Sequence, residues 1–212
     1  MEPDFWRSRW ENNQIGFHEG KPNALLVKHV ARLCLAPGAR VFVPLCGKTR
    51  DIFWLLGQGF QVAGAELSRI AVEQLFAELD IAPAITPAGS LTRFSAPGID
   101  IFAGDIFDLS PQLLGPVDAV YDRAALVALP GHMRARYGAH LVAITGAAPQ
   151  LLICFDYDQS QVEGPPFAIS PGDTHALYDA AYGVSLLESV PVEGGLRGRC
   201  AATEHVWLLA RP

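Results

Sequence analysis

The feature that most constrains this chain is the alternation of short apolar runs with longer segments of helical period. This pattern is typical of β-α-β units, in which helices cover a mainly parallel sheet. In the first part of the chain it predicts strands at 40–44 and 61–67, with a helix over 48–57 between them. Ser68 follows the second strand, where the N-cap of the next helix is expected. We therefore expect an α/β fold.

The rest of the chain continues this pattern after one interruption. Three prolines and two glycines between residues 82 and 98 break any long element and leave only a short hairpin, 91–95 with 99–103. The remaining expected elements are a strand at 117–121, a helix at 130–144 with Pro130 near its first position, a strand at 150–155, a helix at 171–178, and strands at 184–190 and 205–210. The last two strands predict an antiparallel edge of the sheet.

Length and composition indicate an ordinary globular chain. At 212 residues it fits one domain, or one domain with a terminal cap. Half of the residues are hydrophobic and 18% are charged, which is typical of globular proteins. The net charge of −6 would repel a phosphate backbone, so we expect no nucleic-acid partner.

The sequence lacks the motifs that mark several other classes of protein. The four cysteines form no C-x-x-C pair and no histidine pair has metal-ligand spacing, so we expect no metal and no disulfides. Reduced thiols and an N-terminus unlike a signal peptide predict a cytoplasmic protein. The longest apolar stretch, 141–155, is interrupted and too short to span a membrane. Without a long exposed apolar stripe, we expect a monomer.

Open α/β sheets bind ligands beyond the carboxyl ends of their strands, so polar residues there are candidate site residues. In the loop VFVPLCGKTRD, Gly47 allows a sharp turn and would leave backbone amides facing a ligand; the alternative is a simple strand-to-helix turn. Glu66 ends the second strand, 23 residues after Val43. At this separation an acidic side chain accepts ribose hydroxyls in nucleotide-binding units; the alternative is a surface carboxylate that caps the next helix.

Two later strand ends also carry charge. Asp105 follows the hairpin and would accept a hydrogen bond from an exocyclic amine, although aspartate is common in turns. Asp122 and Arg123 are expected directly after a central strand. They would form an ion pair that closes the strand end, or Arg123 would hold an anionic acceptor.

The N-terminal segment 5–20, FWRSRWENNQIGFHEG, combines aromatic rings with amides and charges. It would pack on the domain as a core helix, or form a lid whose rings cover a cationic or planar ligand. His18 is the one histidine in a suspected segment. Cys46 stands beside Gly47, where a nucleophile is conceivable, but we expect a buried packing residue.

Several segments, taken in order along nearly the whole chain, resemble the thiopurine S-methyltransferase family, in particular its bacterial branch. The segments are FWRSRWENNQIGFHEG, VFVPLCGKTRD, VAGAELS, GDIFDL, YDRAALVALP, DYDQSQVEGPPF and EHVWLLARP. The resemblance implies a class I methyltransferase fold: a seven-stranded, mostly parallel sheet with an antiparallel edge strand, helices on both faces and an N-terminal helical lid. It divides the single domain into a helical cap or lid at 1–35 and a Rossmann-like core at 36–212. It also implies S-adenosylmethionine as the methyl donor.

The resemblance further implies which residues form the site. Donor contacts fall on Trp10, Leu45, Glu66 and Arg123, with Asp105 and Ile106 beside the adenine; Phe17 would line the acceptor pocket. To these we add Gly47 on the donor side and His18 on the acceptor side. The acceptor-side arginine of the family has two candidates, Arg197 and Arg199, because the surrounding GGLRGRCAAT departs from the family pattern. We select Arg197.

The expected function is methyl transfer to thiopurines or aromatic thiols, with selenium and tellurium compounds as further acceptors in a detoxification role. Arg123 would position the acceptor. Two other functions remain open at this point. A nicotinamide-dependent oxidoreductase would also place an acidic residue at position 66, although the G-x-G-x-x-G motif is absent. A non-catalytic nucleotide-sensing module would bind its ligand without turnover.

Overall fold

A single mixed sheet forms the centre of the protein. The computed structural model describes residues 3–16 and 18–211, and in this part of the chain the sheet has nine strands. They are β1 (Arg40–Pro44), β2 (Gln61–Glu66), β3 (Ala84–Ala88), β4 (Leu91–Ala96), β5 (Ile99–Ala103), β6 (Ala119–Arg123), β7 (Gln150–Tyr157), β8 (Gly183–Pro191) and β9 (Ala202–Ala210). Their order across the sheet is β3-β4-β5-β2-β1-β6-β7-β9-β8.

The five central strands are parallel, and antiparallel strands lie at both edges. β5, β2, β1, β6 and β7 run in the same direction, whereas β3 and β4 on one side and β9 and β8 on the other pair in antiparallel fashion. The carboxyl ends of β5, β2, β1, β6 and β7 therefore meet at one edge of the sheet, as the β-α-β pattern predicts.

Helices cover the sheet and follow the strands closely in sequence. They are α1 (Pro3–Glu11), α2 (Ala24–His29), α3 (Arg50–Gly57), α4 (Arg69–Glu78), α5 (Pro111–Leu114), α6 (Gly131–Thr145) and α7 (Pro171–Tyr178). Side-chain caps fix several of their starts: Thr49 accepts from the amide of Asp51, and Ser68 accepts from the amide of Ala71. Such caps satisfy amides that have no partner within the helix.

The core lies on both faces of the sheet because successive strand residues point in opposite directions. In β1, Phe42 packs with α6 and α7 on one face, whereas Val41 and Val43 pack with α2, α3 and α4 on the other. All three side chains are at most 2% exposed. A strand buried on both faces is typical of a parallel sheet covered by two helical layers.

Part of the expected N-terminal cap packs into this core. Leu26 of α2 and Leu33 of the 3-10 turn that follows it are buried in the same cluster as α3. Residues 24–33 are therefore integral to the domain, and a covering role is left to α1 and the loop after it. Among the described residues, no helix has the length and apolar character needed to cross a membrane.

The expected strand count of seven is corrected to nine. Seven contiguous strands run from β5 to β8, and the pair β3 and β4 extends the sheet beyond β5. β3 lies in the segment that we expected to be broken by prolines, and Pro87 pairs opposite Thr92 within it. An edge strand tolerates proline because one of its sides has no partner strand to bond. The expected hairpin, in contrast, is present as β4 and β5.

Several element boundaries also differ from prediction, and those of β6 and α6 lie near the site. β6 begins and ends two residues later than expected, so Asp122 and Arg123 are its last residues and pair with Leu152 and Ile153 of β7. Pro130 is the N-cap residue of α6 and not its first helical residue.

Candidate active site at the carboxyl ends of the strands

The carboxyl ends of β1, β2, β5 and β6 open onto a cavity of about 670 Å³. Nine of the ten predicted site residues line it: Trp10, His18, Leu45, Gly47, Glu66, Asp105, Ile106, Arg123 and Arg197. The tenth, Phe17, lies outside the described residues. Residues separated by almost the full length of the chain are thus brought together at the edge predicted from the strand pattern.

Glu66 is held rigidly at the tip of β2. Its side chain is nearly buried, with 6% of the residue exposed. Oε1 accepts from the amide of Ser68 at 2.7 Å, and Oε2 accepts from the amide of Gly47 at 2.8 Å. Burial raises the pKa of Glu66, and these backbone hydrogen bonds partly oppose the rise. Glu66 does not cap α4, because Ser68 does so. Each carboxylate oxygen keeps further lone-pair capacity for a ligand.

The loop after β1 is shaped by two residues with left-handed backbone. Leu45 has φ +45, a conformation that costs a non-glycine residue about 1–2 kcal/mol, and it lines the cavity. Gly47 has φ +52, and a Cβ there would lie 3.1 Å from Cζ2 of Trp10. The ring of Trp10 therefore packs directly on the Gly47 backbone.

The amide of Gly47 is not one of the loop amides left to face a ligand. This amide donates to Glu66, because the loop folds back onto the tip of β2. Cys46 is 6% exposed, and burial together with the nearby Glu66 raises the pKa of its thiol well above the ordinary value. A thiol kept protonated in this way is a packing residue and not a nucleophile.

Asp105 and Ile106 begin a 3-10 turn after β5. The Asp105 side chain is exposed, and its Oδ1 accepts from the amide of Phe107 at 3.0 Å. Ile106 is 5% exposed, and its carbonyl contacts Nε2 of His140 at 2.8 Å. The guanidinium of Arg136, also on α6, lies 3.7 Å from the ring centroid of Phe107. The contacts from His140 and Arg136 of helix α6 therefore hold this turn in position.

Arg123 points into the cavity from the end of β6 and is 12% exposed. Its guanidinium donates to the carboxylate of Glu19, which lies in the loop after α1. Burial opposes the charge of Arg123, but the carboxylates of Glu19 and Asp51 outweigh this effect, and the pKa of Arg123 is raised. Arg123 thus stays charged. Sequence reasoning did not single out Glu19, since an exposed acidic residue in a loop carries no distinctive signal.

Asp51 is a second residue that the sequence did not reveal. It stands in the first turn of α3, is 2% exposed and lines the cavity. Oδ1 accepts from the amide of Asn23 at 2.6 Å, and Oδ2 accepts from the hydroxyl of Tyr121 at 3.0 Å. Its carboxylate therefore ties the end of the N-terminal loop to the tip of β6. The only sequence signal was an acidic residue at a helix start.

Asp122 and Arg123 do not form the ion pair that was one of the two expectations. Adjacent strand residues face opposite sides of the sheet, and Asp122 is fully buried away from the cavity. It accepts from the hydroxyl of Tyr137 at 2.8 Å and from the amide of Leu126 at 3.1 Å. Burial raises the pKa of Asp122 to about 6, although both hydrogen bonds lower it.

The cavity is closed by residues from both ends of the chain. His18 lies beside Lys48, and burial and the Lys48 charge lower the pKa of His18, which favours its neutral form. Lys48 in turn pairs with Glu78 at 2.7 Å. Arg197 has φ +53, donates to the carbonyl of Pro165, and lines the cavity; Arg199 is exposed and does not line it. Of the two candidate arginines, Arg197 is the one placed at the site.

Among the described residues, no cluster of three or more histidine, cysteine, aspartate or glutamate side chains is arranged to hold a metal ion. All four cysteines are free thiols. The cavity is lined by charged side chains of both signs: Arg9, Glu19, Lys48, Asp51, Glu66, Asp105, Arg123 and Arg197.

Comparison with known proteins agrees with this geometry. A family model described as thiopurine S-methyltransferase matches residues 1–211. The chain is 68% identical over 212 residues to a protein of Xanthobacter autotrophicus named thiopurine S-methyltransferase, with each chain covered fully. It is 54% identical over 203 residues to a Gluconobacter oxydans protein of the same name, which covers 96% of this chain and 92% of that one.

Solved structures show the same fold at low sequence identity. A SAM-dependent methyltransferase from Anabaena variabilis superposes with a TM-score of 0.65 at 15% identity, covering 99% of this chain and 95% of that one. A magnesium protoporphyrin IX methyltransferase from Synechocystis with bound SAH gives 0.62 at 14% identity, covering 97% and 99%. These matches confirm the expected methyltransferase fold. By its whole-chain family match and its relatives, the chain belongs to the thiopurine S-methyltransferase family, whose methyl donor is S-adenosylmethionine.

Proposed function

We propose that this protein methylates thiopurines and other aromatic thiols, using the cavity at the carboxyl ends of the strands. The observation that carries the proposal is the placement of Glu66: a nearly buried carboxylate, fixed by two backbone amides, in the same cavity as Arg123 and Arg197. The Glu66 carboxylate suits the hydroxyl groups of a neutral sugar, whereas the guanidinium groups of Arg123 and Arg197 suit an anion. The name shared by the relatives supports the choice of acceptor.

The residues present fit the donor. Glu66 would accept hydrogen bonds from the ribose hydroxyls, with Asp105 and Ile106 beside the adenine and with Leu45 and Trp10 against the rest of the molecule. When bound, S-adenosylmethionine supplies a methyl group on a positively charged sulfur that is already activated for displacement. The 6% exposure of Glu66 keeps water from competing for its oxygens.

The acceptor side needs positioning more than acid–base chemistry. Alignment of two reactants in an enclosed site supplies roughly 7–11 kcal/mol of a displacement barrier. An ionised thiol is itself a strong nucleophile, so we propose that Arg123 and Arg197 hold and orient the anion without transferring a proton. Phe17 and His18 would line the same pocket. Selenium and tellurium in their reduced, anionic forms are softer members of this acceptor class, and we extend the proposal to selenium and tellurium compounds in a detoxification role.

A screen of acceptors with the purified full chain tests the proposal. Transfer of labelled methyl groups from S-adenosylmethionine would be measured with a thiopurine, thiophenol, selenite and tellurite. We expect turnover with the thiopurine and thiophenol. Tight binding of S-adenosylhomocysteine without transfer to any acceptor would contradict the proposal and favour a sensing module, whereas binding of a nicotinamide dinucleotide would favour an oxidoreductase.

We further propose a monomer acting in the cytoplasm. Four free cysteines, three of them buried, suit a reducing compartment. Sedimentation of the purified chain would test the oligomeric state, and fractionation of cells would test the location.

A further inference from the structure

Arg123 already has an anionic partner in this structure. Its guanidinium is paired with the carboxylate of Glu19, and the two residues differ greatly in exposure: 12% for the Arg123 side chain and 51% for that of Glu19. The arginine is fixed at the end of a central strand, whereas the glutamate reaches it from a loop. Of the two partners, Glu19 is the one free to move away.

The loop that carries Glu19 is tied down mainly at its two ends. Near its start, the Arg9 side chain donates to Gln14 at 3.0 Å; near its end, the Asn23 amide donates to the buried Asp51. Between these points most side chains are exposed, and a Cβ added at Gly16 or at position 20 would meet no atom within 4 Å. Among the described residues between these points the side chains are mainly exposed, so the Glu19 carboxylate can turn away from Arg123 without unpacking a buried group.

We propose that Glu19 sets the charge preference of the acceptor site. Its carboxylate bonds one nitrogen of the guanidinium that an anionic acceptor would use and neutralises its charge, so an ionised acceptor must compete with Glu19 for Arg123. A neutral acceptor does not need that guanidinium and can enter with the ion pair intact. Glu19 is thus a specificity-determining residue that competes with anionic acceptors. This inference rests on the acceptor role proposed above for Arg123.

Other acidic groups near Arg123 do not serve this purpose. Asp51 is buried and holds the Asn23 amide and the Tyr121 hydroxyl. Glu204 of β9 is half-buried in the sheet. Both contribute a fixed background charge, whereas Glu19 is an exposed loop carboxylate in direct contact with the guanidinium. Removal of its charge therefore frees one specific partner and leaves the rest of the site as it is.

Binding of two thiols that differ in charge tests the inference without turnover. Pentafluorothiophenol, which is ionised at pH 7, and benzyl mercaptan, which is not, would be titrated calorimetrically into the full chain saturated with S-adenosylhomocysteine. We expect Glu19→Gln to bind the thiolate roughly three- to tenfold more tightly than the wild type, the scale of a half-exposed ion pair, with no change for the neutral thiol. Glu11→Gln, an exposed charge at the end of α1, is the matched control.

A second variant tests whether the gain passes through the arginine. In Glu19→Gln/Arg123→Gln the gain for the thiolate should disappear. If the double variant fails to fold, the comparison of the two thiols within Glu19→Gln still decides. Thiolate binding that is unchanged or absent in both wild type and Glu19→Gln, or an equal gain for both thiols, overturns the inference.

Methyl transfer is measured separately, so the two proposals fail in different ways. Charge-dependent binding without transfer to any thiol would refute the proposed function and leave the role of Glu19 intact. Transfer to thiols with no charge-dependent change in binding in Glu19→Gln would refute the role of Glu19 and leave the proposed function intact.

Discussion

Replacement of Glu66 by glutamine changes one atom of the carboxyl group and nothing of its size. In the wild type both oxygens accept backbone hydrogen bonds, from Ser68 at 2.7 Å and from Gly47 at 2.8 Å. A glutamine has one acceptor oxygen and one NH₂ group, so one of the two backbone amides must face another donor. Glu66→Gln therefore removes the charge from the ribose contact and also weakens the closure of the loop after β1.

The magnitude follows from the hydrogen bonds that are lost. Bonds to a charged acceptor contribute about 1.5–3 kcal/mol each, so the ribose contact alone predicts a loss of donor affinity of roughly ten- to a hundredfold. The unmatched amide should lower the free energy of unfolding by about 1–3 kcal/mol. Because Glu66 would contact the sugar and not the reacting atoms, kcat at saturating donor should stay near the wild-type value.

Calorimetric titration with S-adenosylhomocysteine and thermal unfolding measure both effects. Glu73→Gln, a half-exposed carboxylate on α4 paired only with Arg69 among the described ion pairs, is the matched control and should change neither. Since burial raises the pKa of Glu66, wild-type donor affinity should fall on mild acidification, and the glutamine variant should lack this fall. Unchanged affinity in Glu66→Gln, or a loss of kcat with an unchanged donor KM, would refute the assigned role.

Three further predictions follow from the structure. The pKa of Asp122, about 6 when folded against 3.8 ordinarily, means that the folded state holds the proton over this window. The resulting stability is present at low pH and is lost as pH rises through about 6. Urea unfolding should therefore show the free energy of unfolding of the wild type fall by about 2 kcal/mol more than that of Asp122→Asn between pH 4.5 and 7.5; parallel curves would contradict it. Gly47→Ala places a Cβ at φ +52 and 3.1 Å from the Trp10 ring. Thermal unfolding should show that the substitution lowers the free energy of unfolding by about 1 kcal/mol or more, and calorimetry should show weaker donor binding. A neutral outcome would show that this packing is not needed. Arg123→Gln should raise KM for an ionised aromatic thiol at least tenfold in steady-state kinetics, with donor KM changed less. An equal or larger change in donor KM would contradict the acceptor role of the arginine.

Much of the fold was predictable because strand formation in this chain depends on local pattern. Runs such as Arg40–Pro44 and Gln61–Glu66 are apolar and flanked by turn residues, and both are strands within a residue of the predicted bounds. The exception is β3, where Pro87 argued against a strand. Whether a proline is tolerated depends on whether its strand lies at an edge, and that is a property of the assembled sheet.

The location of the site was also determined by the sequence, because parallel strands bring their carboxyl ends to one edge, and Glu66, Asp105 and Arg123 each stand at such an end. Which groups these side chains contact was decided only by the tertiary structure. Arg123 pairs with Glu19 across more than a hundred residues, and Glu66 turns its oxygens toward amides of another loop. The physical reason is that apolar periodicity records which residues are buried, whereas polar partners are selected by distance and direction in the folded chain.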